Sequence, residues 1–111
     1  MTDLDKLHCQ ALEGQAPMAT AEVTAHLVRT PGWSLVDGAI ERQFRFADYA
    51  LTLAFVNAVA WIAQRQDHHP ELAFGYDRCT VRFNTHSVGG LSINDFICAA
   101  KADALVERPA P

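Results

Sequence analysis

From Tyr49 to Ala63 only Thr52 and Asn57 interrupt an apolar run, and Asp48 stands where a helix cap belongs. Leu51, Leu53, Phe55, Val56, Val59, Trp61 and Ile62 point around the whole circumference of a helix, so no amphipathic stripe survives. The run is shorter than the roughly 20 apolar residues of a membrane span. A soluble helix that is apolar on every side needs cover on every side. With 111 residues the chain has room for one domain and one core. One sheet covers one face of such a helix, and the other face predicts a second copy of the chain.

The flanking segments read as strands and two further helices. A helical pattern runs from Ala19 to Val28, with Thr20 as its cap and Val23 and Leu27 on one face. Thr30-Pro31-Gly32 stops it. Trp33 to Val36 then runs into Asp37-Gly38, a pair suited to the positive φ angles of a tight hairpin turn. The return strand alternates, with Ile40, Arg42, Phe44 and Phe46 on one side and Glu41, Gln43 and Arg45 on the other. After the long helix, Leu72 to Tyr76 and Cys79 to Thr85 read as two strands around a turn at Asp77-Arg78. Val88-Gly89-Gly90 is a further turn, and Ser92-Ile93-Asn94-Asp95 resembles a capping box with a shorter acid. In the helix it opens, Ile93, Phe96, Ile97, Ala100 and Ala104 share a face. The order α-β-β-α-β-β-α predicts an α+β domain: a four-stranded antiparallel sheet with helices packed on one face.

Nine Lys and Arg against 13 Asp and Glu give a net charge of −4, which argues against a dedicated nucleic-acid binder. Cys9, Cys79 and Cys98 are too few and too far apart for a disulfide framework or a zinc knuckle. They suit a reducing cytoplasm, and the first residues lack the basic-then-apolar pattern of a secretory signal.

Of the histidines His8, His26, His68, His69 and His86, the last three fall at joints of the second half. If the third and fourth strands pair as a hairpin, the end of one returns beside the start of the other. His86 then lies near the His68-His69 pair. Taken singly, each is an ordinary surface or hydrogen-bonding residue. Together they make a group that transfers protons near neutral pH. A metal site is weakly indicated, because adjacent histidines are not the i, i+4 helical pair and no companion ligand is evident. Gly89-Gly90 fits a tight turn and matches no phosphate-binding loop. Asp95 reads first as a capping carboxylate, and Cys79 as a packed strand residue.

Asp67-His68-His69-Pro70-Glu71, Tyr76, Thr85-His86, Gly90-Leu91-Ser92 and Asp95 together resemble the pterin-4a-carbinolamine dehydratases. The resemblance extends through Gly32-Trp33 and the segment from Arg42 to Asp48. It implies a domain over residues 18–108, with residues 1–17 as an N-terminal extension and 109–111 as a tail. It implies His68, His69 and His86 as the catalytic histidines, and Asp67, Asn84, Thr85 and Ser87 as pterin contacts. The family's reaction removes water from a 4a-hydroxytetrahydropterin to give the quinonoid dihydropterin, with no metal or organic cofactor required. Its members form dimers or tetramers. Two positions depart from the pattern: Gln64 replaces an acid that can orient an imidazole, and Leu72 replaces an aromatic residue. The family also offers a second expectation, a non-catalytic binding module. Dehydratase-like proteins resemble a RuBisCO assembly factor of carboxysomes and the dimerisation cofactor of a homeodomain transcription factor. The protein clients implied are an aromatic amino-acid hydroxylase or RuBisCO. Retention of all three histidines favours the enzyme, and Gln64 and Leu72 favour the binding module.

Overall fold

The computed structural model describes residues 3–107, so the expected 109–111 tail lies outside the described residues. The order is α1 (Thr20–Arg29), β1 (Ser34–Val36), β2 (Ala39–Arg45), α2 (Tyr49–Gln66), β3 (Glu71–Phe74), β4 (Arg78–Phe83) and α3 (Ile93–Glu107). The strands form one antiparallel sheet in the order β1-β2-β4-β3. This is the α+β arrangement expected from the residue pattern.

Asp37 and Gly38 take φ of 48° and 80°, the left-handed pair that turns β1 tightly into β2. The central register places Ile40 against Phe83, Arg42 against Val81 and Phe44 against Cys79. Side chains alternate across a strand, so these pairs share one face, and Ile40, Phe44, Val81, Phe83 and Cys79 are all buried there. Glu41, Gln43, Thr80 and Arg82 lie on the opposite, polar face. Phe55 and Val59 of α2 and Phe96 and Ile97 of α3 complete the core against the apolar face. Among the described residues no helix is long and apolar enough to cross a membrane.

Several boundaries differ from expectation, each for an identifiable physical reason. Thr20 is the first residue of α1 and not its cap. Ala19 holds that place, because Glu22 Oε1 reaches back to the Ala19 N–H at 3.3 Å. The close of α2 is not one of these: it runs to Gln66 and ends inside the polar segment Gln64-Arg65-Gln66-Asp67, with Asp67 as its cap. The β3–β4 turn spans 75–77 and not Asp77-Arg78. The carbonyls of Tyr76 and Asp77 leave the ladder to accept from Thr52 Oγ1 at 2.9 Å and Phe46 N–H at 2.8 Å. Strand β4 stops at Phe83, short of Thr85, whose backbone pairs instead with Gly90.

α3 is buried on more sides than the stripe of Ile93, Phe96, Ile97, Ala100 and Ala104 implies. Asn94, Asp95, Cys98, Ala99, Ala102 and Asp103 are buried as well. Asp95 is covered by His68 and Thr85, and Asp103 by Trp33 and Arg42. Asn94 and Cys98 are covered by the N-terminal strap, residues 3–18. Its 3-10 turn, Leu4–Lys6, inserts Leu4 into the core, and Lys101 Nζ donates to the Asp5 carbonyl at 2.7 Å. On α2 the asymmetry is the reverse. Thr52, Phe55, Val59 and Ala63 are buried, whereas Leu51 is 51% and Trp61 64% exposed. An apolar helix face therefore stands uncovered in the single chain.

Candidate active site

The way α2 ends sets the direction of His68. Asp67 adopts φ 50°, the left-handed conformation that Asp tolerates better than most residues, and the His68 N–H returns to the Ala63 carbonyl at 3.1 Å. This reversal turns the chain from the helix end into β3. His68 comes out buried, its ring stacked on Phe83 at 5.9 Å between centroids and 11° between planes.

α3 brings the partner. His68 Nε2 lies 2.6 Å from Asp95 Oδ1. The second oxygen, Oδ2, accepts from the Ser92 N–H at 2.9 Å, which is the expected capping interaction, and from Thr85 Oγ1 at 2.7 Å. Since Thr85 gives its only hydroxyl proton to Asp95, the 2.6 Å contact between Thr85 and Ser92 has Ser92 as donor. Ser92 Oγ in turn accepts from the Asn94 N–H at 3.2 Å. An ionised carboxylate only accepts, so in the 2.6 Å contact with Asp95 it is His68 Nε2 that carries the proton. His68 Nδ1 bonds to none of the described residues and is not among the buried unpartnered atoms, so it opens on solvent. The side chain as a whole is only 10% exposed.

Burial is the largest single influence on this imidazole, and it disfavours the charged form. The hydrogen bond to Asp95 and the Asp95 charge oppose it, joined by Cys9 and Asp67, and together they win. The net result is a His68 pKa above the ordinary value of 6.5. The carboxylate that orients an imidazole is thus Asp95. Gln64, one of the two departures from the family pattern, sits exposed on α2.

The other expected residues surround the same end of the sheet. Glu71 pairs with Arg82 at the head of β3, so the segments before β3 and after β4 leave together. His69, Asp67, Asn84, His86 and Ser87 are exposed, whereas Thr85 is buried in the Asp95 network. His86 begins a 3-10 turn, His86–Val88, ended by Gly89 at φ 73°. Gly90 follows without room for a side chain, since a Cβ there would sit 2.9 Å from Pro17 Cβ. Only His68 of the three histidines is joined to the network by a hydrogen bond. Ser92 and Asp95 stand outside the expected site residues, although both carry two sequence signals, the capping box and the Gly90-Leu91-Ser92…Asp95 part of the family pattern. No group of three or more His, Cys, Asp or Glu among the described residues is placed to hold a metal ion. Leu72 is half-buried against the core.

The profile of the family described as pterin 4 alpha carbinolamine dehydratase matches residues 16–105. The chain belongs to this family. A relative from Xanthomonas campestris pv. campestris (strain B100), provisionally named a pterin-4-alpha-carbinolamine dehydratase, is 54% identical over 97% of both chains. One from Chromobacterium violaceum, named in the same way, is 48% identical over 96% of this chain and 99% of its own. The crystal structure of a transcriptional coactivator/pterin dehydratase from Brucella melitensis superimposes with a TM-score of 0.77 at 34% identity, covering 80% of this chain and 97% of that one. A pterin dehydratase-like protein described as a RuBisCO assembly factor in the alpha-carboxysome shares the fold, with a TM-score of 0.57 at 24% identity over 69% and 89% of the two chains.

Proposed function

We propose that this protein dehydrates 4a-hydroxytetrahydropterin to the quinonoid dihydropterin by general acid–base catalysis. The observation that carries the reading is His68: an imidazole clamped by a carboxylate at Nε2, favoured in its charged form, with Nδ1 open to solvent. Loss of the C4a hydroxyl needs a proton delivered to the departing oxygen, and loss of the N5 proton needs an acceptor. A histidine held in its charged form suits the first task, so His68 is the acid in this scheme. His69 and His86 are the acceptors available at the same end of the sheet, and Asp67, Asn84, Thr85 and Ser87 border the space for the pterin. The homologue names and the family membership support the substrate class.

The same reading includes self-association, in the cytoplasm. The uncovered α2 face, with Leu51 and Trp61, supports a homodimer or homotetramer. The decisive experiment adds the purified protein to a chemically generated 4a-carbinolamine and follows its dehydration spectroscopically. Acceleration above the spontaneous rate is expected. A rate equal to the spontaneous one overturns the enzyme reading and returns the fold to a binding role.

A further inference from the structure

Next to the His68 site, and outside its hydrogen-bond network, the fold brings two thiols together across most of the sequence. Cys9 Sγ in the N-terminal strap lies 3.4 Å from Cys98 Sγ on α3. Cys9 Sγ also donates to the Asn94 carbonyl at 3.6 Å, which leaves its lone pairs to receive the Cys98 S–H. The approach is held in place on both sides. The Cys9 N–H donates to Gln66 Oε1 at 2.8 Å, the Gln10 N–H to Asn94 Oδ1 at 3.1 Å, and Asn94 Nδ2 to the Gln10 carbonyl at 2.7 Å.

The two sulfurs differ in chemistry. Cys9 is half-buried and Cys98 fully buried. The Cys98 hydrogen bond, more than anything else, lowers the Cys9 pKa. Burial opposes that, His68 and Lys101 assist it, and Asp95 works against it. Cys98 is driven far upward by its contact with Cys9 and by burial, so it keeps its proton. A partly accessible thiol inclined to ionise beside a protonated one is the arrangement of an attacking and a resolving cysteine.

We propose that Cys9 and Cys98 are a peroxide-oxidisable pair that closes to an intramolecular disulfide and clamps the strap onto α3. The oxidant is hydrogen peroxide. The Cys9 thiolate attacks one peroxide oxygen, the O–O bond breaks, and the departing hydroxide takes up the proton Cys9 had released, giving water and a sulfenic acid. The Cys98 sulfur then displaces the sulfenic hydroxyl. The S–S bond forms as the S–O bond breaks, and the Cys98 proton leaves with the hydroxyl as a second water. Each sulfur gives up one electron and the peroxide takes two. Closing from 3.4 Å to a covalent S–S of about 2.0 Å needs a shift on the order of 1 Å. The strap can supply it, because it has no helix or strand between Leu7 and Ala19. The clamp fastens one turn beyond Asp95, on the helix that holds His68.

The test uses the full reduced chain, treated with hydrogen peroxide, alkylated, and mapped by non-reducing peptide mass spectrometry. A Cys9–Cys98 cross-link within a single polypeptide is expected, with Cys79 still open to alkylation after unfolding and the link reversed by dithiothreitol. Cys9→Ser and Cys98→Ser should each abolish the link, and Cys79→Ala should retain it. Amide exchange across residues 4–10 should slow in the oxidised protein. Two free thiols after peroxide, a Cys9 carried on to the sulfinic acid, or a link only between chains overturns the pairing. Unchanged exchange in a cross-linked sample overturns the clamp.

Discussion

His68 Nε2 and Asp95 Oδ1 lie 2.6 Å apart, while the other oxygen of Asp95 caps the helix that carries it. One carboxylate therefore holds the imidazole, the start of α3 and the Thr85 hydroxyl. Removing it disconnects three elements at once. Asp95→Ala should cost on the order of 3 kcal/mol, the range for breaking a buried pair by deleting one partner. Urea unfolding at neutral pH measures it. A loss below about 1 kcal/mol, the net worth of a single hydrogen bond, would contradict this account.

The pH dependence follows from the raised His68 pKa. A group whose affinity for its proton rises on folding stabilises the native state most where it is protonated in both states. The His68 contribution is therefore complete below the unfolded value of about 6.5 and is lost as pH rises through the higher folded value. The stability difference between the wild type and His68→Asn should shrink with increasing pH across that interval. Denaturation midpoints over a pH series show it, and a difference that grows with pH would reverse the sign.

If the reaction proposed above is correct, His68→Ala and His86→Ala should each lower kcat on the order of 100-fold, the usual scale of general acid–base help. Steady-state kinetics on the carbinolamine measure this. Restoring an acid with Gln64→Glu should change the rate much less, because the orienting carboxylate for His68 is already present in Asp95.

Asp67 separates a structural role from a binding role. Its φ of 50° favours glycine, so Asp67→Gly should leave stability unchanged or raise it by up to about 1 kcal/mol. If Asp67 also contacts the pterin, the same variant should raise KM while thermal unfolding is undisturbed. Loss of stability would show that Asp67 is held by something other than the turn.

The exposed side of α2 makes a hydrodynamic prediction. The protein should sediment as a dimer or tetramer, and Leu51→Glu or Trp61→Glu should shift it towards the monomer without unfolding it. Analytical ultracentrifugation with circular dichroism reads both outcomes. A monomeric wild type would remove the explanation for Leu51 and Trp61 standing in water.

Much of the fold could be read locally. The Asp37-Gly38 turn, the Asp48 and Ser92–Asp95 caps, and the alternation in β2 depend on residues a few positions apart, where backbone preferences and short hydrogen bonds decide the outcome. The β3–β4 turn falls earlier than the residue pattern places it, because distant groups, Phe46 and Thr52, claim its carbonyls. The burial of α3 exceeds its apolar stripe because its extra cover comes from distant segments: the strap over Asn94 and Cys98, Trp33 and Arg42 over Asp103, and His68 over Asp95.

The apolar circumference of α2 needed no structure to read, and neither did its implication that the helix wants cover on all sides. What the sequence could not contain was which face goes uncovered: the sheet and α3 take the side of Phe55 and Val59, and Leu51 and Trp61 are left out. The histidines show the same division. Spacing alone set His68, His69 and His86 apart from His8 and His26. Only the packing of α3 against the end of β4 gave His68 a carboxylate 27 residues away, because a buried imidazole takes its proton affinity from whatever charge the folded chain places beside it.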